Sequence, residues 1–202
     1  MANRLHGTGP AAENDGVSFE FLADADSGSG GKSVLPGSPE AFFLRRGEGE
    51  HAVLFADLFT VLLSGDETEG QFGVFTSKAP KGQLIPAHSH ADTHETFYVI
   101  EGKVRVYVED REGRKTSRLL TPGDFGFVPA GLAHAYQVEE SARLLGVATG
   151  GFERFFQQLG QPTSHAGEGQ PPFVPDPARM RAAAQAHNMR FLPDFDWSDA
   201  AE

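Results

Sequence analysis

The chain has 202 residues with 28 Asp and Glu against 17 Lys and Arg, a formal charge of -11, and no basic run longer than Arg45-Arg46, so a polyanionic partner such as nucleic acid is disfavoured. It has no Cys, which excludes disulfides, iron–sulfur clusters, thiolate zinc sites and a Cys nucleophile, and leaves His and carboxylate as the only ligands for a metal. Its apolar runs, such as Ala52 to Ala56 and Val61 to Leu63, are too short for a membrane span, and Met1 to Gly7 lacks an apolar leader core, which predicts a cytoplasmic chain of single-domain size.

In chain order, residues 1–38 are small and polar, with Asp24-Ala25-Asp26-Ser27-Gly28-Ser29-Gly30-Gly31, and are expected to form a flexible N-terminal arm. From residue 39 to 150 short apolar or alternating runs are broken at close intervals, the pattern of an all-β sandwich or barrel. The breaks are Ser64-Gly65-Asp66, Pro80-Lys81-Gly82, Glu101-Gly102-Lys103, Asp110-Arg111-Glu112-Gly113, Pro122-Gly123-Asp124 and Pro129-Ala130-Gly131, each read as a turn. Between two of them Val104, Val106 and Val108 alternate with Arg105, Tyr107 and Glu109, predicting an antiparallel strand with one buried face. Residues 151–202 change period and are expected to form a helical tail on the barrel. Phe152, Phe155, Phe156 and Leu159 lie at i, i+3, i+4 and i+7 ahead of Gly160, a short amphipathic helix with an aromatic face. A second helix is predicted from the cap Asp176-Pro177 through Ala182-Ala183-Ala184 to about Asn188.

The β region concentrates four His and a Glu suited to chemistry. On an extended strand His88 and His90 leave the same face. Glu95 is at an odd offset, so Ala91-Asp92-Thr93 must turn or bulge to restore parity before the strand Glu95 to Ile100, in which Glu95 shares its inward face with Phe97 and Val99. His134 opens a later strand with Tyr136 and Val138 on its side. Three neutral imidazoles and one carboxylate suit Fe, Ni, Co, Mn or Zn and leave coordination places open. The resulting net positive charge can hold an oxyanion and acidify a hydroxyl. His94 falls on the pleat opposite Glu95 and is expected to point outward. His6, His51, His165 and His187 have no partner at ligand spacing and are assigned no role.

Gly82, His88, His90, Glu95 and Gly102, followed by Gly123, Pro129, Gly131 and His134, reproduce the two spaced motifs of the cupin superfamily, which the chain resembles. One departure is Val138, where the second motif usually ends in Asn. Longer stretches narrow the resemblance: Pro80 to Thr93, Leu120 to Pro129, His134-Ala135-Tyr136, Gly151 to Phe156 and Pro171-Pro172-Phe173-Val174-Pro175 are similar to the bacterial single-cupin quercetin 2,3-dioxygenases, over roughly residues 39 to 197. The resemblance implies a jelly-roll barrel holding one divalent transition metal, with Ni, Co or Mn favoured and Fe, Cu or Zn possible, bound by His88, His90, Glu95 and His134. It further implies that Glu95 is the catalytic base that takes the 3-hydroxyl proton of a flavonol, and that O2 cleaves the heterocycle to a depside and carbon monoxide. Partners are then a small planar aromatic substrate and O2, and the default assembly is a homodimer.

Phe97, Phe125 and Phe127, with the hydroxyls of Thr93 and Tyr136, are expected around the substrate pocket, and Phe152, Phe155 and Phe156 over its mouth, although plain core packing explains each Phe equally simply. Two other readings share the ligand set: a different metal-dependent cupin enzyme, such as an acireductone-like dioxygenase or a small-molecule isomerase, and a non-catalytic ligand-binding cupin.

Overall fold

Alternating inward-facing apolar residues produce most of the strands between Glu50 and Ala148. The computed structural model describes residues 34–82, 84–164 and 170–202. These form β1 (Glu50–Leu54), β2 (Asp57–Leu63), β3 (Gly73–Ala79), β4 (His88–His90), β5 (Glu95–Glu109), β6 (Lys115–Leu120), β7 (Phe125–Val128), β8 (His134–Ala148), α1 (Glu153–Leu159), β9 (Gln161–Thr163), α2 (Pro177–Ala186) and β10 (Met189–Phe191). No helix among the described residues is long and apolar enough to cross a membrane. The expected N-terminal arm falls mostly outside the described residues. At its described end Leu35 is buried and the Gly37 amide donates to Glu67 at 2.7 Å.

Every strand pairing is antiparallel. One path runs β10-β4-β8-β3-β2-β1-β9, and β5 adds to β8 while carrying β6 and β7 on its other edge. The two 15-residue strands β5 and β8 are the axis of the molecule. They pair from Glu95↔Ala148 to Val108↔His134, and the sheet curls about them into the jelly-roll barrel that the resemblance implied. Val99, Val104, Val106, Val128, Val138, Leu144 and Phe97 fill the enclosed space. Burying each such side chain stabilises the fold by ~1.5–3 kcal/mol. Val138, standing where the related motif carries Asn, is part of this core.

The Glu101-Gly102-Lys103 break is not a strand end. β5 continues through it, and the register against β8 slips between Val99 and Val104, so the extra residue is absorbed as a bulge. Gly102 adopts φ 79°, and a Cβ there would run into the Ser141 carbonyl oxygen and Ala142 Cα. The signal for a turn and the signal for a bulge are the same in sequence, because both need a left-handed glycine.

Both expected helices form. α2 is capped by the Asp176 side chain, which accepts from the Ala178 and Arg179 amides at 2.8 and 2.9 Å, with Pro177 in the first turn. α1 has no side-chain cap and is held by packing instead. Phe152, Phe155 and Phe156 join Leu54, Phe59 and Phe75 in a second core, with Phe59 and Phe156 stacked at 4.0 Å. The tail is more than helical: β9 extends β1 and β10 pairs with β4. Three-residue strands such as these are too short for alternation to mark them.

Gly102→Ala is expected to cost about 3 kcal/mol through the left-handed backbone and the clash with β8, a fall of roughly 6–12 °C in the thermal midpoint. Thermal unfolding followed by circular dichroism reads it.

Candidate metal centre and cavity

His88 and His90 lie on the same face of β4, which is held on both edges. β10 pairs Met189 with His90 and Phe191 with His88 on one side, and His134 of β8 stands opposite His88 on the other. The bend at Ala91–Thr93 then reverses parity, as expected, and Glu95, Phe97 and Val99 all enter the interior. In the sheet Glu95 pairs with Ala148, fourteen residues along β8 from His134, a span of roughly 45 Å on a flat strand. Curling the sheet removes that distance: Glu95 Oε2 is 3.2 Å from His134 Nε2 and 3.7 Å from His90 Nε2. The four ligand atoms lie within 4.8 Å of one another, and all four residues are buried.

The surrounding hydrogen bonds decide what those nitrogens can do. His88 Nδ1 is 2.8 Å from the Pro86 carbonyl and His134 Nδ1 is 3.0 Å from the Leu132 carbonyl. A carbonyl only accepts, so each ring carries its proton on Nδ1 and turns an Nε2 lone pair inward. His90 has neither ring nitrogen hydrogen-bonded, and its ring packs on Phe152 at 4.2 Å. Burial, reinforced by the neighbouring imidazoles, pushes His88 down to about 3 and His90 down to about 2, so both are neutral donors at physiological pH. Inward lone pairs facing a carboxylate oxygen repel unless a cation lies between them. The residues therefore fit one divalent ion.

Above the four residues opens a cavity of about 700 Å³, within the range of small-molecule sites. Its wall is mainly apolar, with Phe59, Phe75, Phe97, Leu144, Phe152, Phe155 and Phe156 contributing, and α2 and β10 complete it through Met180, Ala184, Met189 and Phe191. Phe152, Phe155 and Phe156 thus both pack the second core and line the cavity. Of the expected pocket residues, Phe97 and Tyr136 line it. Thr93 is buried beside the bend and is not on the wall. Phe125 and Phe127 correct the expectation: they are 61 and 51% exposed on the outer face of β7, because Gly126, not either Phe, stands opposite Phe97. His94 points outward as expected, accepting from the Ala130 amide at 3.1 Å and stacking on Phe127.

Two further histidines are structural. His51 bonds Thr60 Oγ1 and the Gly47 carbonyl, and His187 reaches Gln158 and packs on Phe155. His6 and His165 lie outside the described residues. The sequence reading missed Asp57, a cavity-wall residue pushed up to about 7 by burial. A signal was present, since Asp57 alternates with Phe59 and Val61 on an inward face.

With this geometry in view, residues 75–148 match the Cupin domain family, and all four candidate ligands fall inside that stretch. Over 130 residues the chain is 35% identical to a quercetin 2,3-dioxygenase of Bacillus subtilis (strain 168), covering 63% of this chain and 37% of that protein. Over 122 residues it is 26% identical to a quercetin 2,3-dioxygenase of Aspergillus japonicus, covering 58% and 34%. The chain spans about a third of the length of these curated relatives. A solved oxalate decarboxylase from Bacillus subtilis at pH 4.6 aligns with a TM-score of 0.46 at 24% identity, over 52% of this chain and 28% of that one.

His88→Ala or His134→Ala is expected to lose the ion, whereas His94→Ala retains it; metal content after dialysis distinguishes them, and full retention by both of the first two overturns the assignment. Asp57 gives a second, metal-independent check. Its folded value near 7 exceeds the ~3.9 of an unfolded chain, so the folded state favours the protonated form, and that stability is lost as pH rises from about 4 through 7. Asp57→Asn removes the loss. The variant is expected to gain on the native protein in unfolding midpoint across that window and to hold the gain above it.

Proposed function

Because this chain carries a cupin domain and is related to quercetin 2,3-dioxygenases, we propose that it is a metal-dependent dioxygenase that opens the heterocycle of flavonols such as quercetin, consuming O2 and releasing carbon monoxide and a depside. The observation that carries the reading is a carboxylate, Glu95, set among three ligand imidazoles at the base of a cavity with an apolar wall. A flat three-ring phenol matches that wall, and exposed Arg181 is the single Lys or Arg among the described lining residues. A polar acid or sugar needs more charged partners than this, which separates the proposal from the polar-substrate cupin enzymes.

A divalent ion held by His88, His90, Glu95 and His134 supplies a positive charge for the 3-oxygen of the substrate and makes its hydroxyl more acidic. Glu95 takes the 3-hydroxyl proton and later returns it to the departing product. The flavonolate so formed is electron-rich enough to react with O2, which adds across C2 and C4. The chain therefore has mainly to bind, orient and keep water away. Phe152, Phe155 and Phe156 on one side and α2 on the other perform that exclusion. The Tyr136 phenol, raised well above its usual value by burial and by the carboxylates of Asp57 and Glu95, stays neutral and can donate to substrate oxygen.

The same proposal includes one ion per chain, with Ni, Co or Mn ahead of Fe, Cu or Zn, a cytoplasmic setting, and a homodimer. The dimer is supported by Tyr98, Leu119, Phe125 and Phe127, exposed apolar residues on the β5–β6–β7 face.

Protein loaded in turn with nickel, cobalt, manganese and iron is expected to bleach quercetin and release one carbon monoxide per flavonol with at least one of them. No bleaching and no gas with any of the four overturns the reading. Glu95→Gln is expected to keep the circular dichroism of the native protein and to lower kcat by about 10²–10⁴-fold.

A further inference from the structure

Asp57 is a charged residue where the fold has no use for one. It opens β2 directly after the hairpin at Phe55, whose amide and carbonyl are both fastened to Phe173 by bonds of 2.7 and 2.9 Å, so its place is fixed from both sides. The alternation of β2 sends Asp57 inward with Phe59, and both line the cavity. Among the described residues its carboxyl group makes no hydrogen bond and no ion pair. An inward charge can guard the free edge of a sheet, but β2 lies between β1 and β3, and no edge needs guarding there. A half-buried carboxyl in a mainly apolar wall without a protein partner is costly, and such a group is retained where something else completes it. It gives the cavity a further polar point, besides the ligand cluster and Tyr136, in a mainly apolar wall.

We propose that Asp57 is a specificity-determining residue that binds a second hydroxyl of the substrate, so that the cavity selects polyhydroxylated planar phenols over those whose only hydroxyl is the one facing the ligand cluster. The inference rests on the flavonol reading and deepens it. Burial, which lifts the carboxyl to about 7, supports the role: near neutral pH the group is divided between an acceptor and a donor, and either form pairs with a phenol.

Quercetin and 3-hydroxyflavone share one ring system and the 3-hydroxyl, but the second has no other hydroxyl. Their dissociation constants are measured anaerobically on nickel-loaded native protein, Asp57→Asn and Asp57→Ala, and consumption of 3-hydroxyflavone in air is measured separately. The native protein is expected to bind quercetin at least tenfold more tightly than 3-hydroxyflavone. Asp57→Ala is expected to reduce that ratio about tenfold, and Asp57→Asn, which keeps the shape and one acceptor, to reduce it less. A ratio that is the same in all three proteins overturns the role of Asp57 even if both flavonols are consumed. A ratio that collapses in Asp57→Ala while neither 3-hydroxyflavone nor quercetin is consumed with nickel, cobalt, manganese or iron loaded in turn sustains the role of Asp57 and overturns the dioxygenase reading. Failure of quercetin to bind the native protein overturns both.

Discussion

Everything in this molecule turns on the repulsion among four groups that a protein would ordinarily keep apart. Three imidazoles and a carboxylate meet in the interior with their ligand atoms within 4.8 Å of one another, and among the described residues His90 has no hydrogen-bond partner at either nitrogen. In a low-dielectric interior that arrangement is unfavourable until a cation occupies the centre, and the fold around it reads as the means of enforcing it. β10 and β8 grip β4 from either edge, carbonyls at Pro86 and Leu132 orient two of the rings, and the curl of β5 over β8 delivers Glu95. Stability lies in the Val, Leu and Phe packing of the barrel. The ligand cluster spends part of it.

The cavity extends the same logic outward. One end of it is polar and ordered by the sheet, and most of the remaining wall is aromatic or aliphatic. Such a container favours a ligand with one acidic oxygen and a broad hydrophobic body, because the body gains from burial while a single oxygen reaches the charged end. Asp57 interrupts the apolar wall on β2, and the hairpin fastened to Phe173 fixes where it does so.

Much of this was legible in the residues themselves, for reasons that differ by element. The two-residue step from His88 to His90, the parity break before Glu95 and the strand opening at His134 are local features, and the pleat translates them directly into faces. Asp176-Pro177 marks a helix start because its chemistry is local too. Gly102 was ambiguous, since a left-handed glycine serves turn and bulge alike and only the partner strand decides. Phe125 and Phe127 misled because aromatic residues suggest an interior. The pleat had placed Gly126 inward, and with Gly126 opposite Phe97 both neighbours are sent outside. Asp57 was overlooked for the opposite reason: one carboxylate in a chain with 28 acidic residues draws no notice until the cavity it enters is completed by α2 and β10, more than a hundred positions away.

The pairing of β10 with β4 has a consequence for how the protein matures in the cell. The edge of the strand bearing His88 and His90 is completed by Met189 to Phe191, so a nascent chain that has already emerged from the ribosome past His134 must be extended by more than fifty further residues before its ligand strand is clamped. Clamping of the ligand strand thereby waits on Met189 to Phe191, and a chain without them leaves that edge of β4 unpaired.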